Sequence, residues 1–245
     1  MNDLHDIFQK YAALVIFDTE TTGLDARTDR IIELAALRIE QTDRGTLKMA
    51  HSADLFVQLP DGQKIPEKIV SLTGITDAML EKDGVDEYTA AHIFRCMLGD
   101  AKGPVLLAAH NAQFDLHFAR EMFRRETGNG LELLEKADYL DTLTVYKDRA
   151  AYPHKLSDAI YHYKLQDKVQ NTHRAIDDVA ALFEVIKAME AERADLLSYV
   201  NLFGYNPKYG VSGNRIDGVK YWPQNFNPYM QAPRYTLPAR AKRDE

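Results

Sequence analysis

The sequence predicts an α/β fold in which a mixed five-stranded sheet is flanked by helices. Two observations support this class. The first three strand-like runs follow one another through short turns, which join antiparallel neighbours, and the later runs alternate with helical patterns, which adds strands in parallel. A chain of 245 residues, 45 % of them hydrophobic, is long enough to bury the core of such a sheet.

The predicted strands are apolar or β-rich stretches bounded by turn signals or by helical patterns. They cover residues 14–20, 30–40, 46–59, 104–109 and 138–143. Helical spacing of apolar residues predicts helices over residues 66–73, 76–80, 88–98, 112–126, 156–163 and 173–197. Thr76 and Asn111 precede two of these helices and are predicted as their N-caps.

The last part of the chain differs in composition, so we divide the sequence into a domain over residues 1–197 and an arm over residues 198–245. Residues 199–245 contain five prolines, six tyrosines and the only tryptophan, Trp222. Frequent proline disfavours long helices and central strands. We expect an extended arm whose aromatic side chains pack on the domain; stacking of these side chains on bases, beside Lys and Arg, is a compatible alternative.

Composition excludes several classes of protein. A single cysteine, Cys96, rules out an internal disulfide framework and fits a reducing compartment. The N-terminal residues are polar and acidic, unlike a signal peptide, and no apolar run is long enough to span a membrane. We therefore expect a cytoplasmic protein with no membrane partner. The net charge of −7 is a weak argument against nucleic-acid binding, because the arm is basic and bound cations would offset acidic ligands.

Two acids, Asp18 and Glu20, stand at the end of the first predicted strand. Residues two apart in a strand point to the same face, so the two carboxylates lie side by side and repel one another. A hard divalent cation such as Mg²⁺ or Mn²⁺ would remove this repulsion. A solvated acidic turn after the strand is the alternative that this motif alone leaves open.

Two further acids lie on the apolar faces of predicted helices. Asp115 precedes Phe118 and Ala119 by three and four residues, and Asp178 follows Ala175 by three, so both point inward. Asp177 is predicted to face outward. Four inward carboxylates without an evident basic partner would be costly to bury, and a pair of divalent ions resolves the cost.

Three motifs, in order, resemble those of one enzyme family. Residues 18–24 (DTETTGL), 110–115 (HNAQFD) and 173–178 (HRAIDD) are similar to the three exonuclease motifs of the DEDDh 3′–5′ exonucleases. This DnaQ-like group includes the proofreading exonuclease of bacterial DNA polymerase III. The resemblance spans about residues 12–192. It implies an RNase H-like fold.

The resemblance also implies roles for the acids and for one histidine. Asp18, Glu20 and Asp178 would hold the first of two divalent ions, Mg²⁺ or Mn²⁺; Asp18 would bridge to the second, and Asp115 would complete that second site. His173 would take the proton from the attacking water, a role that suits a group with a pKa near neutrality. The family resemblance implies a set of substrate-binding residues, namely Thr19, Thr21, Thr22, Gly23, Leu24, Asn111, Phe114 and His173.

The implied function is metal-dependent 3′–5′ exonuclease activity on single-stranded or frayed DNA, which releases nucleoside 5′-monophosphates. Trimming of RNA ends or of short oligoribonucleotides is the alternative, and a non-catalytic RNase H-like adaptor is a minor one. The implied partners are single-stranded DNA or RNA 3′ ends, together with replication or repair proteins. The family's sliding-clamp contact requires a Gln before an apolar-aromatic pair; Leu202-Phe203 supplies the pair without the Gln, so we do not expect that contact.

Overall fold

The computed structural model describes residues 4–99, 102–126, 130–169 and 174–224. The predictions that concern His173 and the part of the arm over residues 225–245 lie outside these ranges. Among the described residues, none of the helices is both long and apolar enough to cross a membrane.

A mixed sheet of five strands forms the centre of the described structure. The strands are β1 (Ala13–Thr21), β2 (Ile31–Gln41), β3 (Leu47–Phe56), β4 (Val105–Ala109) and β5 (Asp138–Asp141). Their order across the sheet is β3-β2-β1-β4-β5. The first three strands pair antiparallel, and β4 and β5 join the sheet in parallel beside β1. The predicted mixed five-stranded sheet is confirmed.

Helices flank this sheet and connect its strands. They are α1 (His5–Lys10), α2 (Glu67–Thr73), α3 (Asp77–Asp83), α4 (Glu87–Gly99), α5 (Ala112–Arg125), α6 (Leu131–Lys136), α7 (Thr142–Arg149), α8 (Leu156–His162) and α9 (Ala175–Glu192). The sequence pattern did not indicate α1 and α6, because six residues are too few to show a full helical repeat.

Alternate residues of β1 face opposite helical layers, as the period of a strand requires. Val15 and Phe17 are buried in a core cluster with residues of α4 and α5. Leu14 and Ile16 are buried in a second cluster with residues of α8 and α9. Burial on both faces explains why β1 begins as a continuous apolar run. The same alternation directs the side chains at the end of β1 toward two different helices.

Helix α9 is shorter than the prediction of residues 173–197. It ends at Glu192, and residues Leu196–Tyr199 form a separate 3₁₀ turn. The buried guanidinium of Arg149 donates hydrogen bonds to the carbonyl of Met189 and to the carboxylate of Asp195. These bonds satisfy a carbonyl in the last helical turn and hold the following chain in a different direction.

The described part of the arm, residues 198–224, lies against β5 and α7. Strands β6 (Leu202–Tyr205) and β7 (Lys220–Pro223) form a small parallel pair. The backbone N–H of Asn201 donates to the carbonyl of Tyr139 at 2.8 Å, and its side-chain oxygen accepts from the N–H of Tyr139 at 2.8 Å. The arm therefore covers backbone groups at the β5 edge of the sheet.

Candidate active site

Three carboxylates converge where β1 meets the first turn of α9. Asp18, Glu20 and Asp178 each offer an oxygen, and these atoms lie within 4.8 Å of one another. All three side chains are half-buried. Asp18 and Glu20 share the face of β1 that packs on α9, and the first turn of α9 carries Asp178. The result is a set of oxygen ligands of the kind that a hard divalent cation prefers.

Asp115 lies on the other face of β1. It is buried in the first turn of α5 and accepts two hydrogen bonds from Thr19, one from the backbone N–H at 3.0 Å and one from the hydroxyl at 2.7 Å. Thr19 is itself buried, and both of its donors are used by this carboxylate. Thr19 therefore holds Asp115 in position through these two bonds.

Burial and neighbouring acids raise the pKa values of Asp18, Glu20 and Asp115. Burial, followed by the charges of Asp115, Asp178 and Glu20, holds the pKa of Asp18 well above its usual range. Burial, followed by the charges of Asp178 and other acids, raises the pKa of Glu20 to about 8. Burial raises the pKa of Asp115 to about 7, against the hydrogen bonds from Thr19. A bound divalent cation would favour the ionised carboxylates and offset this repulsion.

A fifth acid, Glu33, was missed by the sequence analysis. It stands opposite Glu20 in the β1–β2 register and is completely buried. Its carboxylate accepts from Arg174 Nε at 2.8 Å and from the N–H of Ala175, the first residue of α9, at 2.9 Å. The Arg174 guanidinium also lies 4.8 Å from the ring centroid of Phe56. The signal was a charged residue two positions into the apolar run of β2, because a buried charge requires a partner.

The start of α5 is fixed by a residue of the neighbouring strand. Asn111 occupies the N-cap position of α5, as predicted, but its backbone is left-handed (φ 74°) and its side chain makes no capping bond. Asp141, at the end of β5, instead accepts from the N–H groups of Asn111 at 3.0 Å and Ala112 at 3.2 Å. Because β4 and β5 are adjacent and parallel, their carboxyl ends bring this carboxylate to the helix terminus.

His110 supports the same turn. One ring nitrogen lies 3.0 Å from the Thr142 hydroxyl and the other lies 2.9 Å from the carbonyl oxygen of His154. Both nitrogens are thus bound within the protein. His110 therefore orders the connection between β4 and α5.

The turn after β1 holds the remaining predicted substrate residues of the first motif. Thr21 donates to the carbonyl of Gly23 at 2.6 Å, and Thr22 donates to Asp29 at 3.3 Å. A Cβ on Gly23 would lie 2.3 Å from an Asp29 carboxylate oxygen, so this turn requires glycine. Leu24 follows with 86 % of its surface exposed. Across from this turn, Phe114 packs on Phe118 with ring centroids 4.9 Å apart.

The sheet order and the acidic cluster on its central strand together define an RNase H-like nuclease fold. The RNase T exonuclease family model matches residues 15–186. The chain therefore belongs to this exonuclease family, in the DnaQ-like 3′–5′ group, and both the predicted family and the predicted enzyme class are confirmed.

Individual relatives agree with this assignment. The chain is 33 % identical to the DNA polymerase III PolC-type protein of Bacillus subtilis over 188 residues, 74 % of this chain and 12 % of that protein. It is 31 % identical to the protein of the same name from Latilactobacillus sakei over 218 residues, 85 % of this chain and 13 % of that protein. The chain thus spans about an eighth of the length of these curated relatives.

Similarity to solved structures supports the fold. The structure of E. coli Exonuclease I in complex with a dT13 oligonucleotide superposes with a TM-score of 0.64. The match covers 77 % of this chain and 43 % of that one, at 19 % sequence identity. At this identity the likeness establishes a shared fold, and substrate and mechanism require separate arguments.

Proposed function

We propose that this chain is a metal-dependent 3′–5′ exonuclease that hydrolyses the last phosphodiester bond of single-stranded or frayed DNA and releases nucleoside 5′-monophosphates. The observation that carries the proposal is the convergence of Asp18, Glu20 and Asp178 at the end of the central strand. Asp115 supports it from the opposite face of β1, where it bonds to Thr19, the residue between Asp18 and Glu20.

The proposed cofactors are two divalent ions, Mg²⁺ or Mn²⁺, which when bound supply an acidified water and stabilise the leaving 3′ oxygen. Asp18, Glu20 and Asp178 would hold the first ion. Asp18 would also face the second ion, with Asp115 completing that second site. Thr19 keeps Asp115 oriented through its two hydrogen bonds. Burial and mutual repulsion make the ionised forms of these acids unfavourable in the absence of a cation. A bound cation relieves this cost, which favours cation binding.

His173 is the proposed general base. It lies outside the described residues, and its role rests on the family resemblance. Its neighbour in sequence, Arg174, is bound to the buried Glu33, which fixes the chain immediately before α9. We expect His173→Ala to lower kcat strongly and to change the affinity for Mg²⁺ little. The reverse pattern would reassign His173 as a metal ligand.

The proposed site for the terminal nucleotide lies between the turn after β1 and the start of α5. Leu24 and Phe114 would contact the base on either side, and the sugar would lie near Asn111. The turn formed by Thr21, Thr22 and Gly23 would follow the backbone. The high exposure of Leu24 supports this proposal, because a large apolar side chain at a turn lacks a partner within the described structure.

The proposed partners are single-stranded 3′ ends and proteins of replication or repair. Relatives named DNA polymerase III and an Exonuclease I structure that contains an oligonucleotide support DNA as the substrate. We keep the division into an exonuclease domain over residues 1–197 and an arm over residues 198–245 that packs on it. The burial of Tyr199, Phe203 and Ile216 supports this arrangement for residues 198–224.

The test uses 5′-labelled DNA and RNA oligonucleotides of the same sequence, incubated side by side with Mg²⁺ or Mn²⁺. We expect a ladder that shortens from the 3′ end of the DNA and that EDTA abolishes. Faster degradation of the RNA would replace DNA by RNA as the substrate. Intact oligonucleotides of both kinds would refute the proposed function.

A further inference from the structure

A cleft of about 370 Å³ opens beside the candidate active site, between the turn after β1 and the arm. It is lined by Leu24, Asn111 and Phe114 of the nuclease motifs. Lys147 of α7 and arm residues that include Tyr205 and Ser212 line it as well. The arm residues lie beyond residue 186, where the family match ends. One wall of this cleft is therefore specific to the C-terminal part of the chain.

The arm wall is attached firmly to the domain. The backbone N–H of Gly204 donates to the Thr144 hydroxyl at 2.8 Å, and the side chain of Gln224 donates to the Thr144 carbonyl at 3.1 Å. A Cβ on Gly204 would lie 1.9 Å from the Gln224 side-chain oxygen, so these segments are in close contact. The wall is thus held in a fixed position relative to α7.

A direct contact also joins the two sides of the cleft. Gln113 of α5 donates to the carbonyl of Asn214 at 3.1 Å and to the carbonyl of Ser212. Just before these residues, Asn206 and Gly210 form an isolated bridge that closes a small turn of the arm. The cleft therefore has two ordered walls, one from the nuclease domain and one from the arm.

The charges that line the cleft leave one cation available. Asp25 is paired with Arg27, and Glu121 with Arg124. Asp141 accepts hydrogen bonds from the N–H groups at the start of α5 and from the Thr144 hydroxyl. Among the lining residues within the described ranges, Lys147 is the charged group for which the structure contains neither a hydrogen bond nor an ion pair.

Lys147 is half-buried, and desolvation by burial lowers its pKa, against the charge of Asp141. A partly desolvated ammonium group gains more from an anion than a fully hydrated one does. The half-buried side chain of Tyr205 lines the same cleft. A cation and an aromatic ring in one cleft are the combination that binds a phosphate and its base in single-stranded nucleic acids.

We propose that this cleft is a second nucleotide subsite, which binds the nucleotide preceding the 3′-terminal one. Lys147 binds its phosphate, and Tyr205 on the arm contacts its base. This inference rests on the proposed function, in which Leu24 and Phe114, residues of the same cleft, contact the terminal nucleotide. It makes the arm a part of the substrate-binding surface.

The test compares two substrates of the intact chain. One is a 5′-labelled oligothymidylate, and the other is the p-nitrophenyl ester of thymidine 5′-monophosphate, which contains no preceding nucleotide. For Lys147→Met we expect KM on the oligothymidylate to rise about tenfold or more, because a bond to a charged group is lost. The slope of log KM against log salt should fall by about 0.7, the value for one phosphate contact in a single strand. Turnover of the ester should not change.

Matched variants complete the test. Lys147→Arg keeps the charge and should retain most of the affinity, and Lys136→Met removes an exposed lysine outside the cleft and should change nothing. Tyr205→Ala should raise KM on the oligothymidylate about fivefold or more through loss of stacking, and Tyr161→Ala, an exposed tyrosine outside the cleft, should not.

Two outcomes would overturn the subsite. One is an unchanged KM and salt slope in Lys147→Met, and the other is an equal loss on the ester and on the oligothymidylate. Failure of the unmodified chain on both substrates would instead refute the proposed function. In that case the subsite is judged by the fluorescence anisotropy of a labelled oligothymidylate, and equal affinity of Lys147→Met and the unmodified chain would refute it.

Discussion

Replacement of Glu20 by glutamine should stabilise the metal-free protein while it abolishes activity. Burial and neighbouring acids raise the pKa of Glu20 from its ordinary value of 4.5 to about 8. Because the pKa of Glu20 is raised on folding, the contribution of its protonated form to stability is fully present below about pH 4.5. This contribution is lost as the pH rises to about 8. Glutamine cannot ionise and has nearly the same shape, so it removes this loss.

The size of the effect follows from the displacement of the pKa. A pKa shift of one unit corresponds to about 1.4 kcal/mol. For a group shielded from water, the loss of folding free energy at pH 8 would therefore be about 4 kcal/mol. Glu20 is half-buried, and screening by solvent reduces this to about 2 kcal/mol. For a chain of this length, 2 kcal/mol corresponds to a rise in Tm of about 4–8 °C.

The assay is thermal unfolding at pH 5 and at pH 8, measured once in EDTA and once in Mg²⁺ without EDTA. Glu20→Gln should exceed the unmodified chain in Tm at pH 8, and the difference should be smaller at pH 5. Mg²⁺ should raise the Tm of the unmodified chain more than that of the variant, because a ligand is missing. The exposed Glu135→Gln on α6 is the control. A Tm for Glu20→Gln that is lowered in EDTA, or that does not depend on pH, would refute the reasoning.

Other substitutions distinguish a metal ligand from an adjacent acid and test the ion pair that holds the start of α9. Asp178→Asn should lower kcat on oligonucleotides about a thousandfold or more, and Asp177→Asn by less than about tenfold. An equal loss in both variants would contradict the assignment of Asp178. Arg174→Ala should lower the free energy of unfolding by about 3–5 kcal/mol in urea titrations, because the completely buried carboxylate of Glu33 loses its charge partner. The double replacement of Glu33 and Arg174 by alanine should cost less than the sum of the two single losses, and exact additivity would show that the pair is not coupled.

Much of the fold was predictable because β1, β2 and β4 carry strong local signals. β4 is a continuous apolar run, and β2 begins where an acidic and polar turn ends. The order of hairpins followed by βα units then fixed a mixed sheet. Local signals failed where tertiary contacts decide. The end of α9 depends on Arg149, some forty residues earlier in the sequence.

The candidate site could be predicted in part for the same reason. Strand and helix periods placed Asp18, Glu20, Asp115 and Asp178 on inward faces, and the structure brings three of them together. The support of α9 by Glu33 could not be derived, since the register that pairs β2 with β1 is absent from the local pattern. Asp177 was predicted to be a surface residue, yet it is half-buried, because α9 buries a wider face than its apolar stripe suggested; Ala181, for example, is completely buried.

The pairing of Asn201 with Tyr139 limits how this molecule can associate with other chains. Because the N–H and carbonyl groups of Tyr139 are already bonded, a strand of another chain cannot pair in register with β5 at this edge of the sheet. The opposite edge of the sheet is β3, which carries the exposed side chains of Lys48 and His51. Polar side chains and the charge of Lys48 at this edge disfavour pairing with a second copy of the chain and favour a partner of complementary charge.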